Sequence, residues 1–480
     1  MGNNSWFYFI LLSLVAAIGL GNIWIYPYYS YKYTGLFFIS YLISLFALGI
    51  PLLMLEFSIG QYFNKNLVDS FASIKKWFSG IGWLMVFNSF IVMSYYAVIF
   101  SWHIIYFFVS LGLQWKNDPK GYFINKILQS SDGFTNFTQF SLPVFIGLIL
   151  AWVIIFFCVR YGFESIKKII LITFPIFVFL MFLFLLYSLN LDNALAGVHS
   201  LLRPRFRGLL SLNVWIDSVS LVIVSLGISF GVMSAFARKI EKGFLFGNSI
   251  VVIIFEMLIN IAIGFILFSI LGFLSMKQGI SLDRLVFSDF SFAFTILNQS
   301  FPFFYKPTLF SFLFFLFLSL FFIFGAVSLA YAISDVLIHK FKTKHRNVAV
   351  IVAGFGFLVG FLFIIKPGFY ILDIVSHFIY YNILIAIFLE VLAVGWFFES
   401  QKISEYINAN SKIKIGGIWR IFVRYLIPPV LLLLLFIRLK SDFLLKYKAY
   451  PLWAIIIFGV GTVFTPLILS FLMPQKILDK

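Results

Sequence analysis

Apolar runs separated by short polar or basic turns recur along the chain from Trp6 almost to its end. Each is near or above the length of about 20 residues at which a helix crosses a hydrocarbon layer. They predict about twelve membrane helices, at roughly 6–30, 35–62, 79–112, 141–160, 165–189, 213–240, 244–275, 308–340, 347–365, 369–398, 417–438 and 451–473. Long connections fall near 113–140 and 190–212, and a third, around 276–306, reads as partly helical. The fold class is therefore an all-α polytopic membrane protein.

Two of these runs are interrupted where lipid tolerates no unpaired backbone. The first carries Ala16-Ala17-Ile18-Gly19-Leu20-Gly21-Asn22-Ile23-Trp24, and the sixth carries Ser225-Leu226-Gly227-Ile228-Ser229-Phe230-Gly231. In hydrocarbon an unwound stretch survives only where it lines an enclosed cavity, and half-helix ends then offer N–H groups to an anion and C=O groups to a cation. Glycines in membrane helices also serve simple helix packing. Two breaks spaced five helices apart point instead to inverted repeats, residues 1–190 (helices one to five) and 191–400 (helices six to ten), followed by helices eleven and twelve in 401–480.

Composition narrows the class further. The chain is 62% hydrophobic and 11% charged, with a net charge of +17. In a soluble protein that charge would suggest nucleic acid; here the basic residues gather in short turns, which fits the positive-inside rule and a lipid bilayer rather than a nucleic-acid partner. Lys75/Lys76, Arg160/Lys167/Lys168, Arg238/Lys239/Lys242, Lys340/Lys342/Lys344/Arg346 and Lys412/Lys414/Arg420/Arg424 share one side if both termini are cytoplasmic, in a multi-pass cell-membrane protein. Arg203, Arg205 and Arg207 crowd a loop on the other side. No cleaved signal peptide is read, and the first span serves as the insertion signal. Cys158 stands alone, and the five histidines show no ligand spacing. No nucleophile–base pair or metal cluster supports an enzyme.

The string Gly19-Leu20-Gly21-Asn22-Ile23-Trp24-Ile25-Tyr26-Pro27-Tyr28, followed by Gly49-Ile50-Pro51-Leu52 and Glu56-Phe57-Ser58-Ile59-Gly60-Gln61-Tyr62, resembles the neurotransmitter:sodium symporter family. Tyr95-Tyr96, the stretch from Ser225 to Gly231, the stretch from Gly264 to Ser269 and Leu372-Asp373 extend the match over nearly the whole chain. The resemblance implies a LeuT-type fold with a 5+5 inverted repeat and broken helices one and six. It implies sodium-coupled symport of an amino acid or related amine by alternating access, with one or two sodium ions, no organic cofactor, and a monomer or homodimer.

Residue by residue, the resemblance assigns the substrate carboxylate to the N–H of Gly21 and the hydroxyl of Tyr96. A first sodium would take the Ala17 carbonyl, the Asn22 side-chain oxygen, the Ser225 hydroxyl and a seventh-helix oxygen from Glu256. A fixed carboxylate there implies chloride independence, against the alternative that Glu256 pairs elsewhere. A second sodium would take the carbonyls of Val15, Ile18 and Gly325 and the hydroxyl of Ser328, with Leu329 replacing a further hydroxyl. The side-chain subsite would comprise Leu20, Val92, Val224, Gly227, Phe230, Leu329 and Ile333. With Gly19 where amine-carrying relatives place an aspartate, that lining implies a hydrophobic or neutral L-amino acid.

The gates depart from the family pattern. Ile25 and Ser376 replace both halves of the exterior salt bridge, leaving Asp373 nearby and an aromatic lid of Tyr96 with Phe230. No N-terminal arginine supplies an interior latch. Glu56 is costly in lipid and either holds the unwound first helix or titrates. The alternative function is a divergent member acting as a substrate sensor or as a sodium-independent exchanger.

Overall fold

The computed structural model describes residues 4–19, 21–33, 35–203, 209–239, 244–282, 285, 292–411, 413–445 and 447–473. Leu20, Arg205, Arg207, Lys242 and Lys412 lie outside the described residues. The described chain is helical, with one isolated bridge between Phe140 and Ile365.

The main helices are α1 (Asn4–Ala16), α2 (Tyr26–Tyr33), α3 (Gly35–Phe63), α4 (Lys76–Gly112), α5 (Leu142–Val159), α6 (Phe163–Leu189), α7 (Leu212–Ser225), α8 (Val232–Ala237), α9 (Leu245–Gln278), α10 (Pro307–Phe341), α11 (His345–Phe361), α12 (Gly368–Phe397), α13 (Gly416–Ala449) and α14 (Leu452–Leu472). Among the described residues nine helices are long and apolar enough to cross a membrane, or ten if the bent pair formed by the stretches on either side of residue 20 counts as one span. The apolar helices α7 and α11 are shorter. The 190–212 connection, expected as a loop, carries a helix at Ala194–Leu202 whose Gly197 packs against the backbone of Phe268. The span expected to end near 438 continues to Ala449.

The layering follows burial. α4, α10 and α12 are enclosed on most sides, and α4 and α10 pack along one another. α6, α13 and α14 leave most of their apolar side chains on the outside, as helices facing lipid do. Many of the described phenylalanines fill these contacts: Phe177, for example, stacks on Phe317 and meets Phe321 and Phe324 edge-on, geometries that favour aromatic pairs.

Basic groups from distant stretches meet at one end. Lys340 pairs with Asp69 at 2.5 Å, Lys75 lies over Phe397, Lys167 over Tyr8 and Arg424 over Trp396. At this basic end Arg238, just after α8, pairs with Asp335 of α10, and both side chains are almost fully buried. Trp6 Nε1 donates to Asn248 Oδ1 at 2.8 Å, tying α1 to α9.

Candidate functional site

Both interruptions break the helix, and they meet. The first pair bends by 50°, and the second unwinds between Ser225 and Val232 with Gly227, Ser229 and Gly231 at positive φ. Glycine adopts that conformation without strain, whereas Ser229 does not and is held by its neighbours. Its N–H donates to the Glu56 carboxylate, and Ser234 Oγ donates to the Glu56 carbonyl at 2.9 Å. Ser89 Oγ donates to the Phe230 carbonyl at 2.8 Å, so a carbonyl freed by the break finds a partner on α4. The two breaks approach so closely that a Cβ on Gly21 would sit 3.0 Å from the Ser225 Cα.

A cavity of about 490 Å³ opens from these breaks toward the end opposite the basic one. Its inner part is lined by Ile18, Gly19, Val92, Tyr96, Val224, Ser225, Gly227, Phe230, Gly325, Ser328 and Leu329. The Tyr96 ring lies between the first break and α10, since a Cβ on Gly19 would come within 3.3 Å of its hydroxyl and one on Gly325 would strike the ring. Of the remaining sequence-predicted residues, Val15, Ala17, Gly21, Asn22, Glu256 and Ile333 are buried behind this lining. Ala16 and Ile25 line the cavity instead.

Behind the first break a polar chain fixes how Asn22 points. Glu256 accepts from the Tyr41 hydroxyl and, at 2.7 Å, from Asn260 Nδ2, which also reaches the Tyr41 oxygen at 2.7 Å. A carboxylate only accepts, so it turns the Asn260 amide nitrogen toward itself and the Asn260 oxygen toward Asn22. Asn22 Nδ2 then donates to Asn260 Oδ1 at 3.0 Å, and Asn22 Oδ1 is left facing the break, where it accepts from the Gly19 N–H at 2.7 Å. Ser225 also reaches Glu256. The expected oxygen donors Asn22, Ser225 and Glu256 are thus neighbours, a set suited to a hard cation. Tyr41 and Asn260 complete the chain. Asn260 was visible in sequence as a polar residue one turn from Glu256, whereas Tyr41 carried no signal beyond a tyrosine in an apolar run.

Of the residues expected at the second ion site, Ile18, Gly325 and Ser328 line the cavity. Ser328 Oγ is buried, lines the cavity and has no hydrogen-bond partner among the described residues. The Val15 carbonyl, near the end of α1, accepts from the Ile18 N–H at 3.2 Å. Leu329 fills the cavity wall where a further hydroxyl would be needed.

The outer mouth holds charges that sequence reasoning did not connect. Asp373, expected near a gate, accepts from Lys448 Nζ at 2.9 Å and from the hydroxyls of Tyr447 and Tyr450 at 3.2 and 3.0 Å. His377 and Tyr381 both bond Asp442 at 2.6 Å. Arg438 lines the cavity with its guanidinium 3.9 Å above the Tyr380 ring. Across the cavity Asp217 accepts from Lys32 and Tyr33 at 3.0 and 2.6 Å. Ile25 and Ser376 line the wall between them without charge.

Comparison with known proteins agrees with this architecture. The profile of the sodium:neurotransmitter symporter family matches residues 3–120 and 113–478. An uncharacterized sodium-dependent transporter of Methanocaldococcus jannaschii is 32% identical over 461 residues, covering 94% of this chain and 92% of that one. A human sodium- and chloride-dependent GABA transporter 2 is 27% identical over 443 residues, covering 83% and 73%. For a Drosophila melanogaster sodium- and chloride-dependent GABA transporter the identity is 26%, with 95% of this chain matching 53% of the longer relative.

Proposed function

Because the chain belongs to the sodium:neurotransmitter symporter family, whose members are transporters rather than enzymes, we propose that it carries a hydrophobic or neutral L-amino acid inward with sodium by alternating access. The observation that carries this reading is the cavity at the paired helix breaks, where Ser225, Ser328 and Tyr96 converge on apolar walls. Sodium would sit against Asn22, Ser225 and Glu256 on one side and Ser328 on the other. The substrate carboxylate would lie between them and Tyr96, near the half-helix ends. Val92, Val224, Phe230 and Leu329 would receive an apolar side chain, and Gly19 leaves no acid to pair with a lone amine.

Chloride independence belongs to the same reading. Glu256 is held by Tyr41 and Asn260 beside Asn22, which supports a fixed negative charge where an anion would otherwise be recruited. The clustering of basic groups supports a cytoplasmic basic end with both termini, and the two breaks support inverted repeats.

Uptake into proteoliposomes tests it. Leucine, phenylalanine, alanine and γ-aminobutyrate are offered with an inward sodium gradient, in potassium, and with chloride replaced by gluconate. We expect uptake of an apolar amino acid in sodium alone, indifferent to chloride. Asn22→Ala removes an ion ligand worth about 1.5–3 kcal/mol, so sodium affinity should fall about tenfold or more. Equal uptake in potassium would refute sodium coupling, and γ-aminobutyrate as the sole substrate would refute the apolar subsite.

A further inference from the structure

At the basic end, where α12 finishes and α13 begins, two wide π-helical turns face each other, Ala393–Phe397 and Phe422–Leu426. Such turns inside longer helices are frequent at functional sites. A Cβ on Gly395 would stand 3.4 Å from the Val423 carbonyl oxygen and 3.5 Å from the Arg424 Cα, and Trp396 Nε1 donates to the Arg424 carbonyl at 2.9 Å. These contacts fix the Trp396 ring beside the Arg424 side chain.

Two cations stand over this corner from separate stretches of chain. The Arg424 guanidinium lies 5.2 Å from the Trp396 ring centre and 5.5 Å from that of Tyr425. Lys75, just before α4, holds its Nζ 4.5 Å from the ring of the next residue, Phe397, which also meets Phe78 edge-on. Among the described residues neither cation forms an ion pair, and Arg424 Nε is buried with no hydrogen-bond partner. The acids that follow α12 are engaged elsewhere, Glu399 by Lys402 and Glu405 by Gln401.

The rings at this corner are not core. Trp396, Phe397 and Tyr425 are each more than half exposed, on helices that are long and apolar enough to span the membrane. An aromatic belt accounts for rings at this level, and the positive-inside tendency accounts for cations. Neither accounts for a guanidinium set against rings of two different helices with a donor left buried and unmet. A guanidinium presents a planar fork of donors that matches phosphate oxygens, and a lysine beside it adds a point charge. The exposed rings select the source of the phosphate, because acyl chains cover them and a soluble anion does not.

We propose that this corner binds one anionic phospholipid, its headgroup phosphate held by Arg424 and Lys75 and its acyl chains lying over Trp396, Phe397 and Tyr425. The bound headgroup ties the stretch before α4 to the facing turns of α12 and α13. The site depends on the membrane placement of the chain and not on the transport reading.

Native mass spectrometry of the full chain in detergent, with phosphatidylglycerol and phosphatidylcholine titrated in turn, tests the site. One phosphatidylglycerol should bind in preference to phosphatidylcholine, and more weakly as salt rises. A cation near an anionic headgroup contributes about fivefold in affinity, so Arg424→Gln and Lys75→Gln should each lose about that much and the double variant about 25-fold. Lys75 is exposed, so Lys75→Gln tests the site even if Arg424→Gln fails to fold. Thermal unfolding in nanodiscs gives a second reading: phosphatidylglycerol should raise the melting temperature of the wild type and leave that of the double variant where phosphatidylcholine puts it. Arg160, whose guanidinium lies over Phe157 and Tyr161 of its own stretch, is the comparison, and Arg160→Gln should keep the lipid. Equal loss in Arg160→Gln would mark diffuse attraction to the basic end and overturn the site. Wild-type affinity in the double variant, equal binding of phosphatidylcholine, or displacement by millimolar inorganic phosphate, the sign of a soluble-anion site, would each overturn it too.

Discussion

The two ends of the molecule handle charge in opposite ways. At the basic end Arg238 and Asp335 form an ion pair that joins the element following the second break to α10, with side chains only 7% and 4% exposed. At the outer mouth the charged groups pair within their own wall: Asp373 with Lys448, Tyr447 and Tyr450 on one side, Asp217 with Lys32 and Tyr33 on the other. Among the described residues no ion pair crosses the cavity mouth. The difference is that between a latch and a lining. A buried pair ties two elements together because neither charge can be left behind unpaired, whereas pairs confined to one wall leave the two walls unjoined. The structure is therefore open at the outer mouth and sealed at the basic end.

The sharpest way to break this contrast is to remove one half of the latch. Arg238→Ala leaves the Asp335 carboxylate buried, and such single truncations cost about 3–5 kcal/mol. If the pair holds the basic end shut, the variant should populate a state open at that end. A cysteine at position 334, in a Cys158→Ser background, would then react with a membrane-impermeant thiol reagent added from the basic side. The double exchange Arg238→Asp/Asp335→Arg should restore protection. Protection unchanged in the single variant would show that packing of α8 against α3 closes this end without the ion pair.

A smaller effect is expected at the mouth. Asp217→Asn keeps the shape of the side chain but removes the charge that Lys32, 44% exposed, partly neutralises. An exposed pair of this kind is worth about 0–1 kcal/mol. Arg438 faces Asp217 electrostatically from the opposite wall. The variant should therefore change the salt dependence of substrate association more than the stability of the fold, as measured by thermal unfolding and by uptake rates at two ionic strengths. A melting temperature lowered as far as in Arg238→Ala would erase the distinction between the two ends.

What could be read from the sequence divides along the same line. The first break was legible because two glycines and an asparagine inside an apolar run have a local physical consequence. The residues converging on the cavity, Ser225, Gly227, Tyr96 and Ser328, followed from the family resemblance. The latch was not legible. Arg238 counted as one basic residue in a basic turn, and Asp335 lies about a hundred positions away on a helix whose period says nothing about its partner. The sequence expectation that an interior latch lacks its arginine was framed around the N-terminus, and the structure supplies an arginine from the end of α8 instead. Asp373 was likewise expected to mark a gate, yet its partners come from the closing turn of α13 and from Tyr450 just after it, a contact between segments whose order along the chain does not predict adjacency.

The smallest prediction probes whether that turn is part of the mouth or merely covers it. Lys448→Met removes the charge on Asp373's lysine partner but leaves the Tyr447 and Tyr450 hydroxyls, each still within hydrogen-bond reach of Asp373 Oδ2. With Lys448 45% exposed, solvent already screens the pair, so stability should change by less than about 1 kcal/mol. Tyr447→Phe/Tyr450→Phe should cost more than Lys448→Met, because Asp373 itself is buried and its desolvation is offset by these donors. The comparison is read from thermal unfolding of the two variants in the same detergent. If the lysine variant is the weaker one, charge rather than hydrogen bonding holds the outer turn to α12, and the mouth resembles the basic end more closely than the geometry indicates.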